Sequence, residues 1–125
     1  MVKGIGVDII EIARVRESVA ASGDSFLRRI FTPQEIAYCK SKQNMHQHLA
    51  ARFAAKEAVS KALSTGWAGE FSWKDVEVMN DSSGQPHITL YGKLKEKLAG
   101  AAVHISISHS ESHVVAMALI EGLNS

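Results

Sequence analysis

The sequence is short of cysteine: Cys39 is the only one in 125 residues. One thiol closes no internal disulfide, and no cysteine pair is present to hold zinc, which fits a reducing compartment. The expected location is cytoplasmic. No stretch approaches the ~20 apolar residues that a membrane span needs. The apolar N-terminal run GIGVDIIEI is broken by Asp8 and Glu11, so it reads neither as a span nor as a secretory signal. An excess of charge is missing too. The formal net charge is +1, which gives no global argument for nucleic acid, and no basic–aromatic alternation appears. Glycine-rich phosphate loops, internal repeats, low-complexity tracts and linkers are absent. Hydrophobic residues make up 46% and charged residues 22%, an ordinary globular composition for one domain, residues 1–125. A chain this size buries about two-thirds of its unfolded surface, enough for one core but not for a deep, enclosed site. An enzyme this small is expected to build its site at a rim or between subunits.

What is present falls into two halves. Lys3–Ile10 is rich in Ile and Val and predicts a strand, with Ile5, Val7 and Ile9 on one face and Gly6, Asp8 and Ile10 on the other. Helical patterns follow in EIARVRESVAASG, stopped by Gly23, in the short DSFLRRIF, and in FTPQEIAYCK. The last opens with Thr32 as N-cap, Pro33 at N1 and Glu35 at N3, a capping box. A long helix is expected from about Gln47 to Thr65, stopping at Gly66. The second half reads as the strand FSWKDVEVMN, the turn DSSGQP, the strand HITLYG, the short helix GKLKEKLAG, and the strands VHISISHS and HVVAMALIE as a hairpin. The expected fold is α+β, in the order β-α-α-α-β-β-α-β-β, with a mainly antiparallel sheet packed on the long helix.

At 100° per residue the long helix has two faces. Ala51, Ala55, Ala58, Val59 and Ala62 form a small apolar side suited to close packing. Phe53, Glu57, Ser60, Lys61 and Ser64 gather opposite, with Lys56 at the edge. Glu57 and Lys61 stand at i,i+4, which by itself describes a surface pair worth ~0.2–0.5 kcal/mol. Asp8 is harder to explain, because Asp is depleted in strands and this one sits between Val7 and Ile9. It either caps or pairs locally, with Arg14 or Arg16 available, or it shares a hard-cation site with Glu57. Mg²⁺ is commonly held by one or two carboxylates plus waters and substrate phosphates. Arg52, Lys56 and Lys61 beside such a site would suit phosphate oxygens. His109 and Ser110 lie at a strand tip, where a buried histidine and a rim donor are both open readings. His109 and His113 straddle a turn and lack further soft ligands, so zinc is not expected. SSGQP is a turn by default; Gly84 would also let its backbone approach a flat ring.

The motifs GIGVDIIEI, FTPQEIAYC, ARFAAKEAVSKAL, SSGQP and ISISHS, in this order, resemble those of the small group I 4′-phosphopantetheinyl transferases, the holo-acyl-carrier-protein synthases. The resemblance covers nearly the whole chain and implies the phosphopantetheinyl transferase fold. It also implies an Mg²⁺-dependent transfer of the 4′-phosphopantetheine arm of coenzyme A to a serine of apo-acyl carrier protein, in fatty acid biosynthesis. Adenosine 3′,5′-bisphosphate would leave, and the enzyme would be a homotrimer with sites at subunit interfaces. By position, Asp8 and Glu57 would hold Mg²⁺ and, with Lys61, be catalytic. Ser60 and Lys61 would meet the diphosphate, and Arg52 and Lys56 other phosphates. Gly84 and Pro86 would line adenine, and His109 and Ser110 would reach phosphate from the neighbouring subunit. Glu35 is a weaker candidate than Glu57 for accepting the serine proton. Ser64 departs from the glycine of many relatives. From Arg14 to Lys61 nine Arg or Lys face four acids, and Arg14, Arg28 and Arg29 are the expected docking residues for an acidic carrier, Arg16 less so. The competing readings are a non-catalytic coenzyme A or carrier-binding module and another Mg²⁺-dependent phosphotransferase. Neither nucleic acid nor membrane is an expected partner.

Overall fold

The computed structural model describes residues 1–63 and 71–123. Strand β1 (Val2–Glu11) leads directly into helix α1 (Ile12–Ser22), α2 (Asp24–Ile30), α3 (Pro33–Lys40) and α4 (Met45–Leu63). A single 3-10 turn (Trp73–Asp75), strands β2 (Val76–Asn80) and β3 (Pro86–Leu90), helix α5 (Gly92–Lys97), β4 (Ala101–His109) and β5 (His113–Gly122) complete it. Among the described residues four helices precede β2, one for each helical pattern read in the sequence, whereas the expected order counts three. Gly23 separates α1 from α2 at φ 53°, a conformation that glycine adopts without strain. The expected end of the long helix, Thr65 and Gly66, and Ser64 lie outside the described residues.

The antiparallel strands form two sheets rather than one: β1-β5-β4 and the hairpin β2-β3. Trp73–Asp75 coils before β2, so the strand starts five residues later than the aromatic run FSW suggests. Helix α4 lies across the three-stranded sheet. Its small side chains Ala55, Ala58, Val59 and Ala62 are buried there against Val114, Ala116, Ala118 and Ile120 of β5.

The face of β1 that meets α4 is the glycine face. A Cβ on Gly4 would overlap the Ala62 carbonyl, and one on Gly6 the Ala58 carbonyl. Two missing side chains thus set how closely helix and strand approach. Gly6→Ala should destabilise the fold by about 1–3 kcal/mol through overpacking, read as a lower urea midpoint, because backbone must move.

The apolar triplet of β1 points away from this core. Ile5, Val7 and Ile9 are 61%, 56% and 65% exposed. They pair with Leu119, Met117 and Val115 of β5, beyond which His104, Ser106 and Ser108 of β4 continue the same face. Alternation named the two faces correctly but could not say which is inside. Among the described residues, no helix is long and apolar enough to cross a membrane.

Candidate active site at the β1–α4 contact

Close packing of α4 on β1 brings Asp8 beside the polar side of the helix. Lys61 Nζ lies 3.0 Å from Asp8 Oδ1 and donates to the Val7 carbonyl at 3.1 Å. Asp8 and Glu57 both line an open cavity of about 450 Å³, with Ile9, Ile10, Glu11, Arg14, Phe53 and His113. Burial raises the Glu57 pKa above the ordinary glutamate value. The Asp8 charge raises it further, and the Lys61 ammonium opposes both. Two carboxylates near enough to resist joint ionisation are relieved by a cation. Both offer hard oxygens, and an open cavity leaves room for water and substrate oxygens. The donor set therefore fits Mg²⁺. Among the described residues, no group of three or more His, Cys, Asp or Glu is placed to hold a metal. Mg²⁺ often takes only one or two protein carboxylates, so a pair suffices for it.

The other expected residues are placed variously. Ser60 is half-buried on α4, one residue before Lys61. Arg14 is exposed at the cavity wall, 3.8 Å from Glu11. Arg28 and Arg29 are exposed in the last turn of α2. His109 and Ser110 line a smaller cavity of about 290 Å³ with Ile9, Ser108, His113 and Val115. It shares Ile9 and His113 with the first, so the strand tip adjoins the carboxylate cavity. Gly84 and Pro86 sit at the β2–β3 tip, and Asn80 ties this tip to α4 through Arg52.

Three expectations are corrected. Lys56 does not face a phosphate. Its ammonium is wholly buried, 2.8 Å from Glu35 Oε1, and it donates to the carbonyls of Trp73 (2.8 Å) and Val76 (2.6 Å). A lysine has three N–H bonds, and these partners use all three. Arg52 is likewise interior, at 2% exposure. It donates from Nη2 to Asn80 Oδ1 at 2.7 Å, and its guanidinium stacks over Tyr38. Its Nε is buried with no hydrogen-bond partner among the described residues. Glu35 is removed as a proton acceptor by the same packing. Beyond Lys56, it accepts from Thr32 N and, through Oε2, from Val78 N at 2.8 Å.

Sequence reasoning missed Glu77, and it weighed His113 only as a zinc ligand. Glu77 is buried in β2, accepting from Thr32 Oγ1 at 2.6 Å and Tyr91 Oη at 2.9 Å. Its position between Val76 and Val78 suggests an outward side chain, yet all three residues are buried. His113 lines both cavities, a placement that its i,i+4 spacing from His109 does not show. Cys39 is buried beside this network, and burial pushes its thiol up to about 11, which leaves no nucleophile there.

The sequence as a whole matches the 4′-phosphopantetheinyl transferase superfamily over residues 4–118. The chain belongs to this superfamily. It is 44% identical to the holo-[acyl-carrier-protein] synthase of Koribacter versatilis over 124 residues, 97% of this chain and 99% of that one. It is 50% identical to that of Chlorobaculum tepidum over 117 residues, 94% and 97% of the two chains. The solved structure of a Bacillus anthracis holo-(acyl-carrier-protein) synthase in complex with CoA (3′,5′-ADP) superposes with a TM-score of 0.81 at 39% identity, covering 98% of each chain. The chain is therefore an enzyme of the phosphopantetheinyl transferase class, and its α+β fold is the fold of these synthases.

Proposed function

We propose that the single domain 1–125 transfers the 4′-phosphopantetheine arm of coenzyme A to a serine of apo-acyl carrier protein, with Mg²⁺, in the supply of holo-carrier for fatty acid biosynthesis. The observation that carries this is the cavity lined by Asp8 and Glu57, with Lys61 paired to Asp8, in a chain related over nearly its full length to synthases of that name. Asp8 and Glu57 would hold Mg²⁺, which supplies positive charge against the coenzyme A diphosphate. Lys61 and Ser60 lie along the same stretch of α4 and would bind diphosphate oxygens.

The serine oxygen of the carrier attacks the β-phosphorus. The bond between that phosphorus and the bridging oxygen breaks, and adenosine 3′,5′-bisphosphate leaves with the bond's electron pair. Lys61 neutralises charge that grows on the leaving phosphate, so its effect belongs to the transition state. The serine proton would pass to Glu57 or a nearby carboxylate. His109 and Ser110 would add donors to phosphate from the strand tip, and Gly84 and Pro86 would line adenine.

Arg14 is exposed at the cavity wall on α1, Arg28 and Arg29 are exposed on the next helix, α2, and the three would dock an acidic carrier protein. Docking of this kind is screened over ~8–10 Å near physiological salt, so KM for the carrier should rise several-fold from low to high salt. A flat KM would count against it. The outward apolar face of β1 and β5 supports self-association, and the resemblance supplies the number three. Val7→Glu should turn a trimer into smaller species in sedimentation; a wild-type monomer would contradict this part of the reading.

The enzyme reading is tested by following coenzyme A with and without carrier. Release of adenosine 3′,5′-bisphosphate only when apo-carrier is present supports transfer. Consumption of coenzyme A alone would make the protein a hydrolase. Binding without consumption would make it a scaffold.

A further inference from the structure

The β2–β3 tip is wired more heavily than an exposed turn requires. Asp81 Oδ1 accepts from Ser83 N at 2.9 Å, Ser83 Oγ at 2.6 Å and Gln85 N at 3.0 Å. Asp81 Oδ2 lies 2.8 Å from His87 Nε2. The backbone closes the same loop: Asp81 N donates to the Gln85 carbonyl and Gly84 N to the Asp81 carbonyl, both at 2.9 Å. These bonds hold the Asp81 carboxyl well below the usual carboxylate range, the Ser83 hydroxyl contributing most. Gly84 sits at φ 89°, and nothing stands where its side chain would be, so its outer side is open to an approaching molecule.

A second anchor comes from the interior. Asn80 Nδ2 donates to the Gly84 carbonyl at 2.8 Å, while Asn80 Oδ1 accepts from Arg52 Nη2 at 2.7 Å. Arg52 precedes Glu57 by five residues on α4, about 7.5 Å along the helix axis. The shape of the tip is thus tied to the helix that carries Glu57. Residues 81–85 are exposed, so water competes for their bonds and these add little to global stability. What the bonds do is reduce the number of tip conformations from which a ligand must select.

We propose that Asp81 is a positioning residue for coenzyme A: with Asn80 it holds the 81–86 tip in the one conformation that presents Gly84 and Pro86 to the adenine end. This rests on the phosphopantetheinyl-transfer reading and adds a residue that touches no reacting atom. Geometry and charge make opposite predictions here. The ligand is an anion, so the Asp81 charge as such does not attract it. An Asn side chain keeps the acceptor for Ser83 and Gln85 while losing the charge, whereas Ala loses both.

The test compares wild type, Asp81→Ala and Asp81→Asn by calorimetry with adenosine 3′,5′-bisphosphate, and with inorganic pyrophosphate plus Mg²⁺ as a probe of the carboxylate end. Asp81→Ala should weaken bisphosphate binding about tenfold, the loss expected when a preorganised turn is freed, while pyrophosphate binding and melting temperature hold. Asp81→Asn should bind bisphosphate at least as well as wild type within about threefold. In turnover, KM for coenzyme A should rise in Asp81→Ala with kcat and the carrier KM unchanged. Unchanged bisphosphate affinity in Asp81→Ala overturns the inference alone. Parallel losses of pyrophosphate affinity and melting temperature also overturn it, since they mark a structural role. A wild-type protein that binds neither bisphosphate nor coenzyme A overturns the transfer reading itself, and this inference with it.

Discussion

Glu57→Gln is expected to lower turnover by about 10²–10³-fold, the scale found when one group that stabilises developing charge is removed. The substitution keeps size and removes charge, so it takes away a cation ligand and the proton acceptor while leaving α4 packed. The same variant should be more stable than wild type in EDTA at neutral pH. The sign follows from the raised Glu57 pKa. A carboxyl that holds its proton more tightly folded than unfolded penalises the fold once pH exceeds its unfolded pKa, because the charge must then be carried in both states. The penalty is present at neutral pH and fades as pH falls through the folded pKa, so the gap in melting temperature between variant and wild type should close in acid. Adding Mg²⁺ should raise the melting temperature of wild type and not that of Glu57→Gln. A variant that keeps normal turnover would end the ligand and acceptor roles together.

The largest effect on stability belongs to Lys56→Ala, with an expected cost of about 3–5 kcal/mol, as for other buried pairs that lose one partner. Two things are left behind. Glu35 stays buried without its ammonium partner, held by Thr32 N and Val78 N, and the carbonyls of Trp73 and Val76 lose their donor. Burial pushes the Lys56 ammonium down and Glu35 pulls it back, the result lying below an ordinary lysine. Replacing the pair together, as Lys56→Met with Glu35→Gln, should recover part of the loss, because no charge then remains unmatched. Chemical denaturation of Lys56→Met, Glu35→Gln and the double variant gives the coupling directly. Equal destabilisation by the single and double substitutions would contradict the ion pair as the cause.

What could be read from the chain and what could not divides on locality. The Thr32–Pro33–Glu35 cap forms within four residues, and the structure has it as written. Gly23 ends α1 for the same kind of reason. Asp8 and Glu57 are far apart in sequence; Asp8 is odd in its apolar strand, Glu57 by itself reads as half of a surface pair, and the resemblance is what joins them. The structure brings them to one cavity, with Lys61 paired to Asp8. Lys56 misled because a helical wheel gives an angle and not a neighbour. It sits at the edge of the charged face, yet Trp73 and Val76 arrive over it from beyond residue 70. Glu35 misled for a related reason. Its capping role is local, while its second oxygen serves Val78 of β2, which no short pattern reveals. The inward face of β1 was hidden because glycine, the weaker hydrophobe, is what lets α4 approach.

The most direct measurement is the intact mass of an apo-acyl carrier protein after incubation with this protein, coenzyme A and Mg²⁺, beside a sample containing EDTA. The account predicts a gain equal to one phosphopantetheinyl arm, abolished by EDTA and by Glu57→Gln. An unchanged carrier mass, with coenzyme A still bound to the protein, would contradict transfer and leave Glu57 and Lys61 as surface residues of a binding module.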